Sequence, residues 1–356
     1  MKTYLILFII FSNTLSAVAE PYIPDDHQLV VAKISATHRL LSQQNTLALS
    51  EQELLEQTKQ LIDSASFPGQ SRYYEDAYQL LSTYIEKYPH SNELALLWAH
   101  ILQHDHRFQQ AADVLNDILQ RDPRHINANL MAARLAIVAN AYQDAKKYCT
   151  NLLGVSDLIS ASACLLDVAS HNGQLVESYT QLRIIIERGG MQDSRKIWIT
   201  LMLAEMAQRQ DKLDESDYWL ERFPSDKTAY LLSWADVKLA LGKYDAVQRK
   251  LIKLFDKTET LEDSLLLRLA IAEKHAVSTD ALARRDDIDK RIQLIEQRDD
   301  RQHAGDIALY YLKLNKNSKK ALQWAEINWQ NSQEFKDKDL LERALSFSEN
   351  NSLSIN

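Results

Sequence analysis

Glycine and proline are scarce in this chain of 356 residues, which has seven glycines and six prolines. Both residues favour the turns that join strands, and strand-type alternation of apolar and polar residues is hard to find. Leucine and alanine, which favour helices, are abundant instead. The composition therefore predicts an all-α protein.

Enzyme motifs are also absent from the sequence. It contains no Gly-rich phosphate-binding loop, no His-Glu-x-x-His and no Gly-x-Ser-x-Gly. Catalytic groups commonly lie on well-positioned loops, and this composition provides few glycines to build them. We expect no catalytic residues, no enzyme activity and no cofactor.

Clusters of basic residues are missing as well. The formal net charge is −8 at pH 7, and the lysines and arginines are scattered along the chain. Nucleic acids and anionic membrane surfaces attract proteins that carry a basic patch or stripe. We therefore expect neither of them to be a principal partner.

The only long apolar run, residues 4–11, lies at the N-terminus. It is too short to span a bilayer, which needs about 20 apolar residues. Lys2 precedes it, and an Ala-Val-Ala sequence at 17–19 follows it as a cleavage site. The sequence predicts a signal peptide at 1–19 and an exported, periplasmic chain with no membrane insertion. No cysteine lies near the cleavage site, so no lipid anchor is expected.

One short pattern returns three times at a fixed interval. Tyr74, Phe108 and Tyr142 are each followed three residues later by alanine, and the aromatic residues are 34 residues apart. Pro89 and Pro123 keep the same interval. Stacked copies of a helix–turn–helix unit explain such a shared register, because each copy must place the same residues at its contacts.

These residues resemble the tetratricopeptide repeat family. The match is clearest over about 71–153, recognisable to about 254 and faint beyond. After Tyr142 the interval drifts, with second helices beginning at Leu175, Leu213 and Tyr244. The resemblance implies a right-handed α-solenoid of stacked helix–turn–helix repeats with six or seven helix pairs.

Four regions follow from this reading of the chain. After the signal peptide we expect an extended segment and a capping helix at 20–50. Ser50 and Glu53 form a capping box that begins the next helix and the repeat array at 51–254. Degenerate helical repeats and a C-terminal cap complete 255–356, with the final helix over about 336–346.

Two cysteines, Cys149 and Cys164, fall late in one repeat and early in the next. Such positions face each other in a stacked array, and export would place them in an oxidising compartment. A disulfide bond is possible if their Cα atoms come within about 7 Å. Two separate buried thiols are the alternative.

The resemblance also implies a binding groove, because in this family the first helices of the repeats line a concave surface that contacts peptides. A protein or peptide is therefore the expected partner, and a homo-oligomer stays open. Leucine recurs at one equivalent position, which fits packing between first helices equally well. Carried onto this sequence, the groove positions are Leu96, His100, Gln103, His104, Leu130, Arg134, Ile137, Val138, Trp198, Leu201, Glu205, Arg209, Leu232, Asp236 and Leu239.

A histidine cluster supplies an alternative function, the binding of a small ligand or a metal. His100, His104, Asp105 and His106 lie within seven residues, and the first two are four apart on one helix. That spacing brings two imidazoles to one metal, but a closed site needs further ligands. Helical geometry points Asp105 away from the pair. We therefore assign no metal ligands and treat the histidines as solvated or as polar groove contacts.

Overall fold

The structure is a computed structural model that describes residues 49–188, 193–258, 261–274, 276 and 278–353. All of them belong to one of the two units into which the chain divides, Thr46–Asn356. The signal peptide predicted at 1–19 and the extended segment and helix expected before residue 49 lie outside the described residues.

The described residues contain seventeen α-helices and no strands. In chain order they are α1 (Glu51–Ala65), α2 (Arg72–Tyr84), α3 (Asn92–His104), α4 (Phe108–Arg121), α5 (Ile126–Val138), α6 (Tyr142–Asn151), α7 (Leu158–His171), α8 (Leu175–Arg188), α9 (Asp193–Gln208), α10 (Leu213–Arg222), α11 (Thr228–Ala240), α12 (Tyr244–Phe255), α13 (Asp263–Ala272), α14 (Thr279–Gln297), α15 (Ala304–Tyr310), α16 (Ser318–Asn331) and α17 (Phe335–Leu353). None of these helices is long and apolar enough to cross a membrane.

Consecutive helices pack as hairpins, and the hairpins stack into a solenoid. Each first helix contacts its own second helix. In addition, α1 contacts α3, and each first helix from α5 onward contacts the first helix that follows it. The described residues form eight hairpins, from α1–α2 to α15–α16, followed by α17. The prediction of six or seven pairs was therefore too low, because the last two hairpins lack the aromatic and alanine pattern.

Local signals set the helix boundaries where the repeat pattern is clear. The capping box predicted at α1 is present, with the Ser50 N–H donating to Glu53 Oε2 at 2.9 Å and the Glu53 N–H donating to Ser50 Oγ at 3.3 Å. The predicted first residues of the second helices are confirmed at Phe108, Tyr142, Leu175, Leu213 and Tyr244. The final helix runs to Leu353 and not to about 346. Its Asn-Asn-Ser sequence is a poor helix former, which had indicated an earlier end.

A left-handed residue makes the turn inside five successive hairpins. Two are glycines and three are residue types that tolerate this conformation better than most, and all of them follow the first helix by two or three residues. They are His106, Asn140, Gly173, Asp211 and Gly242, with φ of 56°, 57°, 86°, 58° and 70°. The turn brings the second helix back against the first.

Alanines allow that close return. Ala77, Ala111 and Ala145, the small residues of the repeated pattern, are all completely buried. A small side chain at the crossing lets two helix axes approach to about 8–10 Å, which a bulky side chain would prevent. The alanine spacing noticed in the sequence is therefore the contact that closes each of these hairpins.

A disulfide bond joins two neighbouring hairpins. Cys149 on α6 and Cys164 on α7 are bonded, with their Cα atoms 5.5 Å apart. Both side chains are buried in the same apolar cluster as Ala145 and Leu152. The bond ties the second helix of one repeat to the first helix of the next, at the positions that the repeat register brought together.

Replacing Gly242 by alanine should lower the free energy of unfolding by about 1 kcal/mol, because a Cβ strains left-handed backbone. No atom lies within 4 Å of the added Cβ, so the cost is conformational and not steric. Urea unfolding measures it. Asp211→Gly at the equivalent turn is the control and should be neutral or stabilising. A Gly242→Ala variant as stable as the wild type would contradict this account of the turns.

Removing the disulfide with Cys149→Ala and Cys164→Ala should cost about 2–4 kcal/mol of stability, because the bond restricts the unfolded chain. Equilibrium urea unfolding with and without a reducing agent measures this. Reduction should destabilise the wild type and leave the double variant unchanged. Equal sensitivity of the two proteins to the reductant would show that the bond is not formed.

Candidate functional site

One equivalent position on seven successive first helices carries a charged residue or a histidine. These residues, called the inner ladder here, follow one another at steps of 34, 33, 38, 31, 32 and 38 residues, and the first four steps are those of the left-handed turns. They are His100, Arg134, Asp167, Glu205, Asp236, Arg268 and Asp306.

Sequence reasoning had named four of these positions as groove residues and missed Asp167, Arg268 and Asp306. A signal existed for Asp167. It lies 33 residues after Arg134, the same step that separates the second helices beginning at Tyr142 and Leu175. The repeat pattern fades after α12, so no register was available to identify the other two.

Arg268 on α13 bridges the first helices on either side of it. Its Nε lies 2.8 Å from Asp236 Oδ1 on α11, and its Nη1 lies 2.5 Å from Asp306 Oδ1 on α15. Burial opposes the charge of the guanidinium, but the two carboxylates raise the pKa of Arg268 above its ordinary value. Burial would raise the pKa of Asp236, whereas the charges of Arg268 and Lys336 lower it. Arg268 therefore holds three successive first helices together through two ion pairs.

A second charged group links α7 and α9. His171 Nε2 lies 3.7 Å from Asp167 Oδ1 and 3.5 Å from Glu205 Oε1. Burial raises the pKa of Asp167. Burial would do the same to Glu205, but the nearby His171 and the charge of Arg134 lower the pKa of Glu205 to about 2. Glu205 is therefore held as a carboxylate.

Arg209, another predicted groove residue, is hydrogen-bonded to the neighbouring first helix α7. Its Nη1 donates to Ser170 Oγ at 2.9 Å, and its Nη2 donates to the Ser170 carbonyl oxygen at 2.6 Å. These bonds join the C-terminal ends of α7 and α9. Glu205 and Arg209 thus fix neighbouring first helices to each other, and their contact with a partner stays a prediction.

The side of the first helices that carries the inner ladder, called the inner face here, is also in contact with another part of the chain. Residues 332–336, called the docked segment here, comprise the connection between α16 and α17 (332–334) and the first two residues of α17. Glu334 Oε1 lies 2.6 Å from Arg134 Nη2 on α5, and Lys336 Nζ donates to Ser233 Oγ on α11 at 3.1 Å. Asn140 Nδ2 donates to Gln333 Oε1 at 3.1 Å. The docked segment therefore contacts first helices that are three hairpins apart.

The first hairpin contacts the sixth and seventh hairpins. Lys227 Nζ lies 2.9 Å from Asp63 Oδ1, and the Thr228 N–H donates to the Ser66 carbonyl oxygen at 2.8 Å. The Gly69 N–H donates to Glu262 Oε1 at 2.7 Å. Within the described residues the array thus curves far enough for its beginning to contact the starts of α11 and α13.

The apolar groove positions are largely used in packing. Ile137 is buried, while Leu96, Leu130, Trp198, Leu201, Leu232 and Leu239 are half-buried and lie against the core clusters of neighbouring hairpins. Packing was the alternative considered for the leucines. Their half-exposed surfaces border the inner ladder, so contact with a partner stays a prediction for them, as it does for the half-buried Gln103 and Val138.

The histidine cluster lies where α3 ends. The His104 ring stacks on Tyr74 with ring centroids 3.6 Å apart, and its Nδ1 lies 3.2 Å from Asp105 Oδ1. The expectation that Asp105 points away was wrong, because α3 ends at His104 and the backbone of Asp105 is no longer helical. Burial lowers the pKa of His100, and the charges of His104 and Lys227 lower it further.

Metal binding gains no support at this cluster. Among the described residues, no group of three or more histidine, cysteine, aspartate or glutamate side chains is placed to hold a metal ion. His104 is already engaged by stacking, and nothing else in its surroundings favours the small-ligand alternative.

The fold is an all-α solenoid of tetratricopeptide-like helix hairpins. No protein-family model matches the sequence, and no curated protein is significantly similar to it. Solved structures are similar at low identity. The chain is 17% identical to a chain of the APC/C hetero-tetramer Cut9–Hcn1, with a TM-score of 0.45. The aligned region covers 86% of this chain and 58% of that chain.

Two further solved structures have similar values. A tetratricopeptide repeat protein from Parabacteroides merdae ATCC 43184 is 14% identical with a TM-score of 0.37, covering 83% of this chain and 98% of that one. The P58(IPK) TPR domain is 13% identical with a TM-score of 0.29, covering 84% and 98%. Similarity at this level says nothing of what the chain binds.

Acidification should remove the stability that the ionised Glu205 side chain contributes to the fold. Its folded-state pKa lies below the ordinary 4.5, so its contribution to stability is complete above pH 4.5 and is lost as the pH falls towards 2. Urea unfolding across this range should show a shallower pH dependence for Glu205→Gln than for the wild type. Asp167, whose pKa burial raises, acts in the opposite direction, so Asp167→Asn should steepen the dependence. An unchanged slope in Glu205→Gln would exclude this role.

Proposed function

We propose that this chain is an exported, non-catalytic scaffold that binds a protein or peptide partner on the inner face of its first helices. The observation that supports this most directly is the docked segment, because the inner face already holds a piece of polypeptide, the α16–α17 connection and the start of α17. The binding makes and breaks no covalent bond.

The chemistry of the inner face suits a peptide. Arginine pairs with carboxylates through charge-assisted hydrogen bonds, and Arg134 keeps 34% of its side-chain surface accessible beside Glu334. The half-buried Trp198 lies on α9, two first helices further along the stack, and tryptophan and arginine are among the residues most often found at the energetic centres of interfaces. A charged contact with an apolar border favours a defined peptide over a non-specific surface.

Export is part of the proposal. The apolar run at 4–11 and the Ala-Val-Ala site at 17–19 have the pattern of a cleaved signal peptide. The Cys149–Cys164 disulfide fits an oxidising compartment, where such bonds form and persist. We place the protein in the periplasm, and we expect a protein or peptide partner because no basic patch suits nucleic acid.

Replacing Arg134 by glutamate should reduce capture of the partner at least tenfold, because a carboxylate would then face an acidic group on the partner. Tagged mature protein is incubated with an envelope extract, the recovered partner is identified by mass spectrometry, and its affinity is remeasured with purified components. Arg249→Glu makes the same charge change on α12, at an exposed residue outside the inner face.

The control variant should capture as much partner as the wild type. Circular dichroism confirms that both variants keep their helices. If Arg134→Glu binds the purified partner as tightly as the wild type does, the partner does not use the inner face and the proposal is wrong.

A further inference from the structure

We infer that the docked segment is an internal ligand that covers the partner site, and that the partner presents the same chemistry, an acidic side chain followed two residues later by a basic one. This inference rests on the proposed function and specifies what the inner face recognises. It assigns a role to Glu334 and Lys336, which lie far from the repeat pattern.

The charges of the docked segment match the two helices that it joins. Glu334 pairs with Arg134, the basic member of the inner ladder on α5. Two residues later, Lys336 donates to Ser233 on α11, and its charge helps to lower the pKa of Asp236 on the same helix. A peptide with the opposite order of charges would place like charges together at both ends. The site therefore selects the sequence order acidic–x–basic.

The shape of the docked segment does not depend on the inner face. Asp337 at the start of α17 accepts hydrogen bonds from Ser332 Oγ at 2.7 Å and from the Glu334 N–H at 3.0 Å, and Asn328 Nδ2 donates to its other oxygen at 2.7 Å. These bonds form a tight connection within the α16–α17 pair itself. A ligand that is already ordered loses less conformational entropy on binding, so the docked segment competes well with a partner.

The contacts of the docked segment are also of a kind that a partner can replace. Glu334 keeps 38% of its side-chain surface exposed, and Gln333 and Lys336 are exposed as well. Solvent weakens an ion pair such as Arg134–Glu334, whose two side chains each keep about a third of their surface exposed. The packing of α17 on α16 instead uses Leu340 and Ala344, which are buried in the core. The contacts that Glu334 and Lys336 make with the inner face can therefore be lost while the rest of α17 keeps its place.

A synthetic peptide with the sequence of residues 330–339, labelled with fluorescein, tests the inference by fluorescence anisotropy on the purified mature protein. Glu334→Ala with Lys336→Ala removes the two contacts made by charged side chains of the docked segment and should bind the peptide at least tenfold more tightly than the wild type. A second peptide, with its glutamate and first lysine exchanged, should not bind. Adding Arg134→Ala to the double variant should abolish binding.

The matched control is Lys338→Ala with Glu342→Ala, which removes an exposed ion pair on α17 at 3.6 Å without touching the inner face. It should bind the peptide as weakly as the wild type does. Thermal unfolding checks that each variant is folded. Equal affinity of all variants, or no binding to the double variant, would overturn the inference.

The partner assay separates this inference from the proposed function. If capture of the partner depends on Arg134 but Glu334→Ala with Lys336→Ala captures no more of it than the wild type, the scaffold function stands and the internal ligand is refuted. If partner capture does not depend on Arg134, the proposed function fails, whereas peptide binding still decides the internal ligand.

Discussion

The close approach of two helices inside each hairpin is the contact on which the rest of this structure depends. It requires a small residue where the helices cross and a left-handed residue where the chain turns back. Ala111 and His106 serve the second hairpin, and Ala145 and Asn140 serve the third. With these two conditions met, each hairpin presents one apolar side to the next, and stacking buries it.

Stacking then determines what the first helices do on their inner side. Because neighbouring first helices lie side by side, a charged residue at one register position meets the equivalent residue of the next repeat. Arg268 lies between two aspartates for this reason, and His171 lies between Asp167 and Glu205. Few of these charges are free for a partner. Arg134 differs, since its closest carboxylate, Glu334, comes from a connection 200 residues away.

The curvature of the array adds contacts that no single hairpin could make. It brings the first hairpin against the starts of α11 and α13, and it places the α16–α17 connection between α5 and α11. A solenoid usually contacts only its nearest neighbours along the stack. Here the first hairpin contacts the sixth and seventh hairpins, and the docked segment contacts α5 and α11. Access to the inner face therefore depends on the strength of these contacts.

The sequence by itself determined the helical class, the hairpin repeat and the register that joins Cys149 to Cys164. Caps, left-handed turns and small residues act within a few residues of the chain, so their spacing is visible as a period. The inner positions Arg134, Glu205 and Asp236 were also predicted, because they follow that period. Their actual neighbours were not, since each ion pair needs a residue from another repeat in a particular orientation.

Only the tertiary structure decided that Glu334 would reach Arg134. No period connects these residues, and their contact arises from the summed rotation of several stacked hairpins. The same applies to Gly69 and Glu262, which are 193 residues apart. Local chemistry fixes each step of a solenoid, whereas small differences between steps accumulate along the chain and decide which distant surfaces come together.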